Sequence, residues 1–261
     1  MTDDILYPDT PFPLKPSLVL LGRRGSEAHG TFVPSTDPNS IDDRDLMGVC
    51  IPPAPWLLGL RQWEGADAIK EVWDVVLYDF RKFVRLLVKQ NPNVVGMLWL
   101  EKEDYLHLAP AGRDLLAIRD AFRSRQAAFE SFQGYAYGQL KKMNGGVFRG
   151  YMGDKRKQLV AKVGYDSKNG SHLVRLLHMG IEYQRTGELK ARRTWDRDML
   201  VEIKAGKWPL TTLKNYADDK FREMRKALAE SVLPESCDEE LIEYTVLGCL
   251  LLATGRNYDR A

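Results

Sequence analysis

Apolar positions near the start of the chain cluster in short runs, and further on they recur at intervals of three and four. Val19 to Leu21 reads as a buried strand, and Leu46 to Ile51 as a second one ended by Pro52-Pro53. Ile69 to Tyr78 reads as a third strand, rich in β-branched and aromatic residues, with charge confined to its start and to Asp74. The period then changes. Phe80, Phe83, Val84, Leu87 and Val88 alternate with Arg81, Lys82, Arg85 and Lys89, which predicts an amphipathic helix capped by Asp79 and stopped at Asn91-Pro92. Val94 to Leu100 is a short apolar element compatible with either state. Beyond about residue 105 helical patterns dominate, at 111–126, 128–143, 154–163, 169–186, 212–230 and 238–255. Trp195 to Lys207 reads only as surface. The expectation is an α+β protein: a small mixed-sheet domain over residues 1–105, followed by an α-helical domain over 106–261.

Composition narrows the setting. The 261 residues are 44% hydrophobic and 28% charged, ordinary values for a globular protein, so a substantial core is available. A formal charge of +2 means that any nucleic-acid surface has to be local. Cys50, Cys237 and Cys249 are widely spaced and form neither a disulfide framework nor a zinc pattern. The acidic start M-T-D-D-I-L-Y-P lacks the features of a signal peptide, and Val246 to Ala253 is too short to span a bilayer. These features predict a cytoplasmic protein without a membrane partner.

The candidate chemistry lies between Gly25 and Val49. Gly25 allows the backbone to approach a phosphate closely, and Ser26 adds a hydroxyl beside the amide donors. Asp43 and Asp45, two residues apart, share one face of a strand and suit a hard cation such as Mg²⁺ or Mn²⁺ bridged by substrate phosphates. Asp42 then faces away, as a turn residue. A third carboxylate is best supplied by Asp74, an acid inside an apolar strand that is costly without a metal or partner. Glu71 and Asp79 are rivals, although Asp79 already has a capping role. Each feature has a plain alternative: a Gly-Ser turn, a solvated Asp-x-Asp loop, an edge-strand Asp74 facing water.

Gly25-Ser26, Gly30, Asp43, Asp45 and Gly48-Val49 together resemble the pattern of the DNA polymerase beta-like nucleotidyltransferase superfamily. More narrowly, D-V-V-L-Y-D-F-R-K-F (74–83), N-P-N (91–93) and Y-D-S-K-N-G-S-H-L-V-R-L-L (165–177) resemble the RNA-ligase-associated group of predicted nucleotidyltransferases. The resemblance spans roughly residues 18–190. It implies that Asp43 and Asp45 bind metal and that Asp74 completes the carboxylate set, as general base for an attacking hydroxyl. The chain departs from that pattern in a longer loop between Gly30 and Asp43, and in Glu27 and His29 where the family usually has arginine and tyrosine. Glu27 is therefore expected to point away from a triphosphate, with Arg23 and Arg24 restoring positive charge.

The helical half adds two candidate surfaces. Lys168, His172 and Arg175 fall at i, i+4 and i+7, a stripe able to clamp a nucleoside triphosphate, with Leu173, Leu176 and Leu177 on the core side. From 141 to 168 the chain is basic, with Lys141, Lys142, Arg149, Lys155, Arg156 and Lys157 as candidate RNA contacts. Tyr135, Tyr137, Phe148, Tyr151 and Tyr165 are interleaved as stacking faces. The competing reading is a solvated helix face with its aromatics in the core. His107 and His178 have no partner pattern and read as structural. The functional expectation is a metal-dependent nucleotidyltransferase acting on an RNA 3′ end. A protein or small-molecule acceptor, or a catalytically silent nucleotide- or RNA-binding module, are the alternatives.

Overall fold

Five strands form one mixed sheet in the order β3-β4-β2-β1-β5: β1 (Leu18–Arg24), β2 (Arg44–Cys50), β3 (Gly65–Lys70), β4 (Trp73–Asp79) and β5 (Tyr105–Leu108). The computed structural model describes residues 7–34, 36–37, 40–70, 73–144 and 153–258. Strand β2 is antiparallel to β1 and parallel to β4, while β3 and β5 pair antiparallel with β4 and β1. The fold is α+β, as expected. The single third strand predicted over 69–78 is instead the hairpin β3–β4, with Lys70 opposite Trp73. Gly65-Ala-Asp-Ala, without a β-branched or aromatic residue, does not announce the outer strand. Strand β5 lies across residue 105, so the sheet runs past the point where the strand pattern fades.

Helices α1 (Leu14–Ser17), α2 (Gly25–Ala28), α3 (Ala54–Leu57), α4 (Phe80–Val88) and α5 (Pro92–Val95) are interleaved with the strands. Helices α6 (Pro110–Ala117), α7 (Arg125–Asn144), α8 (Asp154–Val163), α9 (Ser167–Thr186), α10 (Arg197–Lys204), α11 (Leu210–Ala229) and α12 (Glu239–Tyr258) follow. Asp79 caps α4 as expected: its Oδ1 accepts from the amides of Arg81 and Lys82 at 2.9 and 3.1 Å. The ambiguous 94–100 segment is α5 continued by a 3₁₀ turn over Gly96–Leu98. The segment 195–207, which read only as surface, contains helix α10, and its Leu200, Ile203 and Lys204 are buried.

One face of the sheet (Val19, Met47, Val49) joins Phe83, Leu87 and Leu98 and the helical residues Phe132, Leu173, Leu177, Leu213 and Met224 in a continuous core. The opposite face carries a smaller cluster of Leu18, Leu21, Leu46, Cys50, Val75 and Leu77. Helix α9 is buried along most of its length and packs against α7, α10 and α11. Burial of this kind fixes the polar side chains of α9 relative to the sheet.

Candidate active site

Strand register assembles the acidic side of the site. Arg24 pairs with Asp45 across the antiparallel β1–β2 ladder, and Asp45 pairs with Asp74 across the parallel β2–β4 ladder. Three charged residues therefore stand in a row on adjacent strands. The Arg24 Nη2 is 3.3 Å from Asp74 Oδ2 and 3.7 Å from Asp45 Oδ1. Burial pushes the Asp45 carboxyl up to about 6, with Arg24 opposing and the neighbouring Asp74 adding to the rise. Asp74 is not on an edge strand, since β4 lies between β3 and β2. The rival Asp79 is spent on its helix cap, and Glu71 lies outside the described residues.

Gly25 follows directly. Its φ is +62°, and a methyl group there would overlap the Asp45 carboxylate, so only glycine fits. Gly25 and Ser26 open the single turn α2, and Thr31 N donates to Ser26 O at 2.9 Å. Gly25 lines the cavity described below, whereas Ser26 does not.

Asp43 and Asp45 do not share the strand geometry expected of them. The strand begins at Arg44, so Asp43 precedes it, 74% exposed, with Oδ2 accepting from Lys168 Nζ at 3.3 Å. Lys168 Nζ also donates to Ile41 O at 3.0 Å. Among the described residues no group of three or more His, Cys, Asp or Glu is gathered to hold a metal ion. Asp45 and Asp74 are the adjoining pair. Their hard oxygens, mutual repulsion and resident cation fit a divalent ion such as Mg²⁺ or Mn²⁺.

Asp42, expected as an outward turn residue, has a buried side chain. Its Oδ2 accepts from Lys204 Nζ at 2.6 Å and from Val33 N at 2.9 Å, and Lys204 Nζ also donates to Thr31 O at 2.5 Å. The long loop before β2 is thus pinned to α10. Burial lowers the pKa of Lys204, and the Asp42 carboxylate works against that shift. Glu27 does not line the cavity and lies 4.0 Å from Arg23 and 3.8 Å from Arg44.

Helix α9 supplies the opposite wall. A cavity of about 170 Å³ is lined by Arg24, Gly25, His29, Asp45, Asn93, Gln139, His172 and Arg175, among others. Ligand clefts typically occupy about 300–1,000 Å³, so this space is smaller than a usual cleft. Arg175 is buried, and among the described residues its one hydrogen-bond partner is the Met179 sulfur at 3.3 Å. Burial, with Arg193 nearby, brings its pKa down to about 10. Burial and then Arg175 push His29 and His172 well below the ordinary imidazole range, so both rings are neutral. His29 Nδ1 lies 2.8 Å from Ala191 O; a carbonyl only accepts, so Nδ1 carries the proton and Nε2 is left as an acceptor. Of the α9 stripe, His172 and Arg175 line the cavity, while Lys168 turns to Asp43.

The basic segment is partly committed elsewhere. Arg156 is held by Asp166 at 3.2 and 2.6 Å, and Lys157 meets Asp154 at 3.1 Å. Lys141, Lys142 and Lys155 are exposed. Tyr165 is buried and donates to Trp208 O, Tyr135 accepts from Asn91 Nδ2, and Tyr137 stacks on Phe221 at 4.3 Å. Tyr165 is thus taken into the core and Tyr135 into a hydrogen bond, while Tyr137 stays exposed. Arg149, Phe148 and Tyr151 lie outside the described residues. His178 bridges Asp196 and Tyr216 at 2.7 and 2.9 Å, and His107 contacts Leu18 O, both structural roles.

Sequence reasoning noted Arg24 and His29 only in passing and missed Lys204. A cation pair directly before Gly-Ser was the available signal for Arg24; nothing local flagged Lys204.

Among solved structures the chain is similar to a nucleotidyltransferase-like protein from Exiguobacterium sibiricum 255-15. The two share 14% identity over 94% of this chain and 73% of that one, with a TM-score of 0.28. No protein of curated function matches. Described helices include none long and apolar enough to cross a membrane. A sequence model of the RNA repair pathway DNA polymerase beta family matches residues 14–241, and the chain belongs to that family of polymerase beta-like nucleotidyltransferases linked to RNA repair.

Proposed function

We propose that this enzyme transfers a nucleoside monophosphate from a nucleoside triphosphate to the terminal 3′-hydroxyl of an RNA. The observation that carries this reading is the register that sets Asp45 beside Asp74, with Gly25 against Asp45 and Arg175 on the opposite wall. Polymerase beta-like nucleotidyltransferases generally use divalent metals. In this chain Asp45 and Asp74 would hold the ion, with Asp43 joining once it parts from Lys168. When bound, the ion supplies positive charge against the phosphate oxygens.

The chain's own groups account for the remaining steps. The backbone at Gly25 and the side chain of Arg175 bind phosphate oxygens, and Lys168 adds charge at the mouth. Arg175 suits this role because it is a buried cation that no carboxylate ion-pairs directly among the described residues, Asp196 acting on it only electrostatically. The neutral His29 and His172 donate or accept without adding competing charge. Asp74 takes the proton of the attacking hydroxyl as the hydroxyl oxygen bonds to the α-phosphorus. The bond to the pyrophosphate oxygen breaks, and pyrophosphate departs. Exposed Lys141, Lys142 and Lys155 meet the RNA backbone, with Arg149, Arg156 and Lys157 on the same basic segment. The commitment of Arg156 to Asp166 favours a second reading, in which the acceptor is a protein or small-molecule hydroxyl.

The test is to incubate the protein with Mg²⁺ and each α-labelled nucleoside triphosphate beside separate RNA, protein and metabolite fractions. Label is expected in RNA and is blocked by prior periodate oxidation of 3′ ends. Label confined to protein or metabolites would overturn the RNA assignment.

A further inference from the structure

Arg24 ends β1 directly before Gly25, and its guanidinium reaches both carboxylates of the site. Its contacts of 3.3 and 3.7 Å are long beside the ~2.7–2.9 Å of a charge-assisted hydrogen bond. Among the described residues its buried Nε has no hydrogen-bond partner. Other arginines are held far better: Arg156 forks onto Asp166, and Arg193 engages both Glu182 and Asp196. Arg24 supplies charge without locking geometry.

Its position is equally telling. Arg24 lines the cavity of Gly25, His29, His172 and Arg175. It also lines a second, polar cavity of about 400 Å³, shared by Glu64, Asp67, Asp74, Tyr78 and Lys82. One side chain thus walls both spaces at the point where the two carboxylates stand.

Resting on the reading that Asp45 and Asp74 hold the divalent ion, we propose that Arg24 is a resident counter-ion that the metal displaces, and that nucleotide phosphate receives the displaced guanidinium. A divalent ion binds carboxylate oxygen at ~2.0–2.1 Å, and a guanidinium cannot keep its present contacts with the same two groups. Two like charges would also repel there. The cavity on the Gly25 side offers Arg24 a phosphate within its own neighbourhood, in the bidentate geometry that guanidinium favours. Arg24 therefore weakens metal binding in the absence of nucleotide and strengthens nucleotide binding in the presence of metal. It acts on the metal through the carboxylates and on the nucleotide by direct contact.

The opposite signs make the test specific. Mn²⁺ binding to the full chain, read by electron paramagnetic resonance without nucleotide, is expected to tighten on the order of tenfold in Arg24→Gln, an ordinary coupling magnitude. The KM for nucleoside triphosphate at saturating Mn²⁺ is expected to rise several-fold in the same variant. Arg24→Lys, which keeps the charge, is expected to return Mn²⁺ affinity toward the native value. A merely structural role would not tighten metal binding. Unchanged or weakened Mn²⁺ affinity in Arg24→Gln overturns the proposal, and Arg24→Met provides the same reading if the Gln variant does not fold. Asp45→Asn separates the two levels. If it still binds Mn²⁺ like the native chain, the metal reading itself fails; if it loses Mn²⁺ while Arg24→Gln shows no tightening, only the Arg24 proposal fails.

Discussion

Asp42 and Asp45 lie three positions apart and meet opposite fates. Asp42 sits in the loop before β2 with its side chain 1% exposed, and Lys204 answers it at 2.6 Å. Asp45 sits in β2, shares the distant guanidinium of Arg24 with Asp74, and keeps its proton up to about pH 6. A carboxylate whose charge is answered serves as scaffold. One left under-compensated beside another acid is stabilised only when a further cation arrives, and that is the property a metal-dependent site requires.

Substitution should separate the two roles. Asp45→Asn is expected to lower transfer by roughly a thousandfold or more, about 4 kcal/mol of transition-state stabilisation, while the thermal midpoint stays level or rises. Activity assays beside thermal melts check it; a large fall in midpoint would place Asp45 with the scaffold. Lys204→Ala should do the reverse in the stability channel. It strands a buried carboxylate and frees the 31–43 loop, with an expected loss of about 3–5 kcal/mol by denaturant titration. A loss under 1 kcal/mol would mean that the Asp42 clasp is not structural.

The pH dependence sharpens the contrast. Burial holds the folded Asp45 carboxyl at about 6, against an ordinary value near 4 in the unfolded chain. Between those values the folded state binds more protons, so this group's contribution falls as pH rises from about 4 to 6 and is flat above that. The contribution is on the order of 3 kcal/mol at most. Comparing native and Asp45→Asn stability across this window isolates it, because the Asn variant lacks the decline. Gly25→Ala is expected to cost about 1–2 kcal/mol from its positive φ and the overlap with Asp45, and to impair transfer further. Smallest is joint neutralisation of Lys141, Lys142 and Lys155, expected to weaken RNA binding several-fold and flatten its salt dependence by about one unit per lost phosphate contact. Unchanged RNA binding would point to the protein or small-molecule acceptor.

The sequence made legible what depends on neighbours along the chain. Alternation and apolar runs gave β1, β2 and the Asp79-capped α4, and the acid inside an apolar strand singled out Asp74. Strand β3 escaped because Gly65-Ala-Asp-Ala carries little pattern, and β5 because four residues are too few to establish a period. The site divides along the same line. Asp45 and Asp74 were readable from local pattern and resemblance, whereas the Arg24 bridge needs the register of three strands. The Lys204–Asp42 clasp joins residues 162 positions apart, and no window along the chain contains both. Asp43 lies outside the strand expected for it because β2 starts one residue later than the Asp-x-Asp spacing suggests.

The central claim is that Asp45 serves transfer of a nucleotidyl group. Parallel reactions with α-labelled and γ-labelled nucleoside triphosphate, for native protein and Asp45→Asn, test it directly. The expected result is that α-label becomes covalently attached to acceptor, γ-label appears only in pyrophosphate, and Asp45→Asn yields neither product. Transfer of γ-label, or α-transfer that survives in Asp45→Asn, would contradict the account.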